Sequence, residues 1–301
     1  MSKFGIESIR GVVPPIATPI NEDESVDEKG MRRLVNFLIE GGAHGLFVMG
    51  GTGEFFCFPD REKGRAIEIV VEEAGSRVPV IAGVTDLSTC RAIENAQVAQ
   101  EKGADFITSM PPFFFSLAQD SIYEFYSALA DDTDVPLLLY NILNPIHTNI
   151  QPETVKKLAE HPHIIGMKDS DDFAHVQEVV FETEDSNFRV LTGLESHFVA
   201  SIHVGAAGGV LSAANFCPRL CVDVFEKASS GDYGQALELQ RKLNRLLAEL
   251  KAGGFSSWWG VVKTALSILD IGSGAVTRPV PTCTDEERAK LKRIMAKYEL
   301  M

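Results

Sequence analysis

Short, almost continuously apolar runs recur along the chain about every 25 to 30 residues, at residues 11–19, 45–50, 78–84, 105–110, 135–141, 164–169, 189–194 and 208–213. Such runs are the pattern of parallel strands covered on both faces, where neither side of the pleat meets water. Between them the apolar positions take helical spacing. Asp27 caps a helix that runs to Glu40 and stops at Gly41 and Gly42. Pro59 and Asp60 open another, in which Ile67, Val70 and Val71 share a face. Ser88 caps a third that ends at Lys102 and Gly103, and Pro152 with Glu153 begins a fourth. Unbroken alternation of strand and helix predicts a parallel α/β fold. Eight such units in about 230 residues match the size of a (β/α)8 TIM barrel. A doubly wound open sheet is the alternative, weakened because no G-x-G-x-x-G follows the first run.

After Phe225 the strand signal stops, and residues 233–251, 256–269 and 285–298 read as helices. The expected organisation is a barrel over residues 1–224 and a C-terminal helical extension over 225–301. No long polar linker precedes the extension, so it is expected to pack on the barrel.

The 28 basic and 42 acidic residues leave a net charge of −14. Neither a nucleic acid nor an anionic membrane would gain from such a surface, although one carboxylate can still be bound locally by backbone N–H groups. Five cysteines, odd in number and scattered, do not form a disulfide framework. Cys217 and Cys221 lack a second Cys/His pair to complete a zinc site. Residues 1–10 lack the apolar core of a signal peptide, and no strongly apolar run of about 20 residues occurs. A reducing cytoplasmic location is the resulting expectation.

In a barrel of this kind the working residues lie at the C-terminal ends of the strands and in the loops that follow. Those positions offer Thr18, the loop 50–54, Thr85 and Asp86, residues 111–113, Tyr140 and Asn141, Lys168 and Asp169, Gly193 to Glu195, and Ser212. Alternation puts Ile164, Gly166 and Lys168 on one face, with Gly166 leaving space beside the lysine. If that face is interior, desolvation disfavours the ammonium form, and a neutral amine can attack a ketone. The competing expectation is an interior lysine paired with Asp169 or another carboxylate. Tyr140 ends the preceding strand, about 5 Å away, where a phenol could relay a proton or simply serve as a core tyrosine with one hydrogen bond. The loop Gly50-Gly51-Thr52-Gly53-Glu54 could seat a carboxylate, or be only a tight turn; it lacks the ending of a nucleotide P-loop. No His-Glu-x-x-His, EF-hand or Gly-x-Ser-x-Gly pattern occurs, and Trp258 and Trp259 are expected to pack the extension.

These residues, in this order, resemble the dihydrodipicolinate synthase and N-acetylneuraminate lyase superfamily. The likeness runs from Pro15-Ile16-Ala17-Thr18-Pro19 through Gly51-Thr52-Gly53-Glu54, Tyr140-Asn141 and Gly166-Met167-Lys168-Asp169-Ser170 to Arg278-Pro279. The resemblance implies a lyase in which Lys168 forms an imine with pyruvate or a related 2-keto acid and Tyr140 relays the proton. It further implies that Thr52 and the N–H groups near Gly51 hold the substrate carboxylate, and that Gly193, Glu195 and Val210, with Ser196 and Ser212, line the rest of the pocket. No metal or added cofactor is expected, and a homotetramer built as a dimer of dimers is.

Synthases of the lysine pathway usually carry two threonines in the loop, where this chain has Gly51 before Thr52. They also carry a tyrosine after the fourth strand, where Phe114 stands, and an arginine soon after the catalytic tyrosine. Between Tyr140 and Lys156 this chain has neither Arg nor Lys. With Asn144, Pro111, Pro112 and Phe113, these departures look more like the keto-deoxy-sugar-acid aldolases and dehydratases. The expected reaction is therefore aldol cleavage or formation on a keto-deoxy sugar acid. The alternatives are dehydration on the same lysine, 4-hydroxy-tetrahydrodipicolinate synthesis, and a non-catalytic keto-acid sensor, which would have no need of a proton relay.

Overall fold

A computed structural model describes residues 3–142 and 148–301. Its eight strands are β1 (Gly11–Val12), β2 (Leu46–Val48), β3 (Val80–Gly83), β4 (Phe106–Ser109), β5 (Leu137–Asn141), β6 (Ile164–Asp169), β7 (Arg189–Thr192) and β8 (Gly208–Gly209). All pair in parallel, in the order β1-β8-β7-β6-β5-β4-β3-β2. The ring closes just beyond β1, where the Ile16 N–H donates to the Phe47 carbonyl (2.9 Å) and the Phe47 N–H to the Pro14 carbonyl (3.0 Å). This (β/α)8 barrel excludes the doubly wound alternative.

Strands β1 and β8 are much shorter than the apolar runs that contain them. Pro14 and Pro15 have no N–H to give a ladder, and residues after β8 turn into a short helical turn at Ser212–Asn215. The Asn215 side chain bridges the gap. Its carbonyl accepts from the Ala17 N–H, and its amide donates to the Pro15 carbonyl, both at 2.9 Å.

The helices between strands begin where their caps indicate. Helix α1 (Glu28–Glu40) starts at Asp27, whose carboxylate accepts from the Gly30 N–H at 2.9 Å. Its buried residues Met31, Leu34, Val35 and Leu38 form one stripe. Helix α2 (Asp60–Ala74) follows Pro59, and α3 (Thr89–Glu101) starts at Ser88. Next come α4 (Gln119–Asp131), α5 (Pro152–Leu158), α6 (Phe173–Glu182), α7 (Phe198–His203) and α8 (Pro218–Ser229).

The C-terminal extension comprises α9 (Tyr233–Ala252), α10 (Trp258–Ile268) and α11 (Asp285–Lys297). Helix α10 begins at Trp258, two residues after the expected start at 256; Ser257 caps it, and Ser256 gives its N–H and hydroxyl to Glu287. Seven consecutive residues of α10, Gly260 to Leu266, are buried. A helix buried on all sides should contain no charge, yet Lys263 sits in its middle at 3% exposure. Its ammonium donates to Glu54 Oε1 at 2.8 Å. The other oxygen of Glu54 accepts from the Thr277 N–H (2.8 Å) and hydroxyl (2.6 Å). The loop after β2 is thereby joined to the extension by a buried ion pair in which both carboxylate oxygens of Glu54 are engaged.

All five cysteines are free, and among the described residues no helix is long and apolar enough to cross a membrane.

Removing one partner of a buried pair strands the other charge, which costs about 3 kcal/mol or more. Lys263→Met is therefore expected to lower stability by about that amount in urea unfolding; an unchanged midpoint would show that the pair contributes nothing.

Candidate active site

The β5–β6 register sets Tyr140 directly beside Lys168 and Asn141 beside Asp169. Lys168 is 7% exposed and Tyr140 is 4% exposed. The lysine Nζ lies 3.8 Å from the centre of the Tyr140 ring and 5.2 Å from that of Phe47, which β2 supplies. The amine is thus inside the barrel, on aromatic faces. Among the described residues, no carboxylate oxygen lies within 4.0 Å of it, so the paired-lysine expectation fails. Burial lowers the Lys168 pKa to about 7, against the opposing pull of the Glu195 charge. Ring quadrupoles favour the ammonium by about 0.5–2 kcal/mol, and desolvation outweighs them. Burial also pushes the Tyr140 phenol upward, so it keeps its proton at neutral pH.

Gly166 does not serve the lysine as expected. A Cβ there would run into the Arg189 carbonyl of β7, so the glycine permits close strand approach. The β5–β6 register also skips Ile165, which interrupts simple alternation just below the site.

Behind the pair lies a buried polar network. Asp169, fully buried, accepts from the Asn141 amide (3.1 Å) and the Asp171 N–H (3.2 Å) through one oxygen. Its other oxygen meets His175 Nδ1 at 2.7 Å. His175 Nε2 faces the Ile150 carbonyl at 3.0 Å, and the Ile150 N–H donates to Asn141 at 3.1 Å. Both imidazole nitrogens face acceptors, so both must carry hydrogen, which is the imidazolium form. Burial works against that charge, but the Asp169 hydrogen bond and charge, with the Ile150 carbonyl, prevail and raise the His175 pKa. Sequence reading missed His175. No spacing motif marks it; it is simply in the first turn of α6, capped by Asp172.

The loop after β2 borders the phenol: a Cβ on Gly51 would lie 3.9 Å from the Tyr140 hydroxyl. The Gly51 carbonyl accepts from the Glu54 N–H (3.1 Å) and from the Trp259 indole (2.8 Å). The Thr18 hydroxyl donates to the Gly53 carbonyl at 2.9 Å. Among the described residues, the N–H groups of Gly51, Thr52 and Gly53 meet no backbone or side-chain acceptor. Thr52 is half-buried.

On the opposite side, Glu195 is half-buried and accepts from the Ala213 N–H at 2.6 Å. Burial raises its pKa, partly offset by the Ala213 and Ser212 hydrogen bonds and the Lys168 charge. Gly193 packs against Ser170 with no room for a side chain, and its N–H donates to the Asp169 carbonyl at 2.6 Å. Gly193, Glu195, Ser196 and Ser212 line a cavity of about 540 Å³ whose far wall is the extension, including Phe255 and Trp258. Val210 is buried in the core, its N–H bonded to the Thr192 carbonyl at 2.8 Å, and it does not line this cavity. Other strand-end residues go elsewhere. Thr85 accepts from the Met110 N–H, Asp86 holds Arg91, and the Phe113 ring packs on Phe55. Asn144 lies outside the described residues.

The chain matches the sequence model of the "Dihydrodipicolinate synthetase family" over residues 8–298. It is 34% identical to a 4-hydroxy-tetrahydrodipicolinate synthase of Methanopyrus kandleri, covering 97% of each chain. It is 32% identical to an uncharacterized DapA-like lyase of Halobacterium salinarum, covering 97% of this chain and 95% of that one. Among solved structures it is similar to YagE of E. coli, crystallised in complex with pyruvate, at TM-score 0.92 and 26% identity over 97% of this chain and 99% of that one. A dihydrodipicolinate synthase of Bacteroides thetaiotaomicron gives TM-score 0.92 and 32% identity, over 96% and 98%.

The His175 pKa is raised in the fold, so its stabilisation is complete below the unfolded value of about 6.5 and is lost as pH rises through the folded value. Urea stability of the protein relative to a His175→Gln variant should therefore be greatest near about pH 5.5–6 and shrink toward alkaline pH. A difference that grows with pH would contradict the imidazolium assignment.

Proposed function

The chain belongs to the dihydrodipicolinate synthetase family of Schiff-base-forming lyases, and on that premise we propose that Lys168 forms the imine, with pyruvate or a closely related 2-keto acid. One observation carries this reading: a buried amine lies on the Tyr140 ring with no carboxylate beside it. The neutral amine attacks the ketone carbon, and the carbinolamine loses water to give a protonated imine. That cation draws the electron pair of the C–C bond one carbon beyond the imine carbon, while the hydroxyl on the departing carbon gives its proton to the phenolate left when Tyr140 protonated the leaving water, so an enamine remains and an aldehyde is released. The reverse sense joins the enamine to an aldehyde. Tyr140, protonated at neutral pH and adjacent to the amine, moves the proton. The Thr52 hydroxyl and the unpartnered N–H groups near Gly51 hold the carboxylate. YagE, with its bound pyruvate, supports the choice of keto acid.

For the second substrate we favour a keto-deoxy sugar acid and aldol chemistry. Gly51 offers no hydroxyl to the phenol, and Phe114, 82% exposed, offers none to a neighbouring copy. Glu195, Ser196 and Ser212 give the adjoining cavity polar groups suited to hydroxyls. The second reading, 4-hydroxy-tetrahydrodipicolinate synthesis, is favoured by the names of relatives. Family membership among lyases sets the sensor reading aside. We retain a homotetramer, supported by the exposed, mutually packed rings of Phe114 and Phe115 (6.3 Å), which a second copy would cover. A reducing cytoplasmic location accords with the five free cysteines.

Borohydride reduction in the presence of pyruvate should leave a pyruvyl adduct on Lys168 and none in Lys168→Ala; an adduct mapped to another lysine would refute the assignment. The rate of imine formation should rise with pH through about 7, because the ammonium must first lose its proton. A midpoint near 10.5, the unperturbed value, would mean that burial does not prepare the amine. Product analysis with keto-deoxy sugar acids separates the two chemistries: an aldolase releases pyruvate, a dehydratase does not.

A further inference from the structure

Helix α10 grips the loop after β2 at both ends. Trp259 and Lys263, four residues apart on the helix, reach Gly51 and Glu54, three residues apart on the loop. The Lys263 contact is an anchor. The Trp259 contact has a directional consequence. In a trans peptide the carbonyl of one residue and the N–H of the next point in opposite directions. The Trp259 indole draws the Gly51 carbonyl toward α10, with the Glu54 N–H as second donor. The Thr52 N–H on the same peptide plane must then point away from α10. No acceptor among the described residues meets it, and the loop's other border is the Tyr140 hydroxyl. The indole is itself fixed, edge to face with Phe56 (5.8 Å), which packs in the same way on Phe55 (5.4 Å).

We propose that Trp259, in the C-terminal extension, is a positioning residue for recognition of the keto-acid carboxylate, acting through the Gly51 carbonyl to aim the Thr52 N–H at the substrate. This rests on the reading that the loop seats that carboxylate. It makes part of the extension a component of substrate recognition, separate from the wall it forms around the neighbouring cavity. A substrate without a carboxylate has nothing for the aimed N–H to hold, so Trp259 discriminates between anionic and neutral ketones.

The test compares pyruvate with hydroxyacetone, a neutral ketone, in borohydride trapping at Lys168. Trp259→Phe keeps a ring against Phe56 and removes the donor together with the pyrrole part of the indole. The half-saturating pyruvate concentration should rise about tenfold, the effect of one lost hydrogen bond to a charged group, while that for hydroxyacetone stays the same. Position 259 carrying 3-benzothienylalanine, an isostere without the N–H, should reproduce the result and exclude a packing effect. Equal weakening of both ketones, or no change for either, would overturn the proposal. Failure of the unmodified protein to trap pyruvate at Lys168, or to prefer it to hydroxyacetone, would instead overturn the reading of the site, and this inference with it.

Discussion

The structure is organised around an amine buried without a counter-ion. Taking a charged ammonium out of water is costly, and a protein normally repays that cost with a nearby carboxylate. Here the closest surroundings of Lys168 are the rings of Tyr140 and Phe47, and the proton is held so weakly that its pKa falls to about 7. Keeping the amine in that state requires every nearby carboxylate to be engaged elsewhere. Asp169, the next residue in the strand, is held on the far side by Asn141, Asp171 and His175. Glu195 is drawn onto the Ala213 N–H and is itself biased toward the neutral acid. An amine that gives up its proton near pH 7 therefore depends on neighbouring acids whose hydrogen bonds are made elsewhere.

A second buried charge shows the opposite solution. Lys263 is as deeply buried as Lys168, but Glu54 meets it directly and Thr277 satisfies the remaining oxygen. Burial lowers the pKa of both lysines; the charge of Glu54 opposes the effect at Lys263. The same residue type thus serves as a structural tie in one place and as a reactive candidate in another. The difference is whether an acid lies at hydrogen-bond distance. The tie and the two indole contacts of Trp258 and Trp259 bind the extension to the loops that border the site. The C-terminal helices are in this sense continuous with the barrel's working face.

Family and fold come from features shared along nearly the whole chain, whereas substrate choice rests on a few side chains at the loop ends. Relatives at 30–34% identity carry the lyase class and differ in name. Gly51 and Phe114 carry no hydroxyl, and the cavity beside Glu195 combines polar groups with Leu194, Phe255 and Trp258. On the function proposed above, these side chains bear on which partner follows the keto acid. They leave the amine and phenol undisturbed.

Much of this was present in the order of residues. Eight apolar runs of strand length, the caps at Asp27 and Ser88, and the proline at the start of α5 are local signals, each read within one turn or one strand. Lys168 and Tyr140 were legible because they end consecutive strands of a parallel barrel, which places them side by side by register alone. What sequence could not supply were partners that depend on closure of the barrel. Glu54 lies 209 residues from Lys263, and no periodicity links them. Gly166 looked like space for the lysine and proved to be clearance for β7, because only the bulged register reveals which neighbour it faces. His175 carries no motif, and its charge follows from two acceptors brought together from β6 and from the segment before α5. Periodicity tells which face a side chain occupies; the group waiting on that face is decided by how distant segments pack.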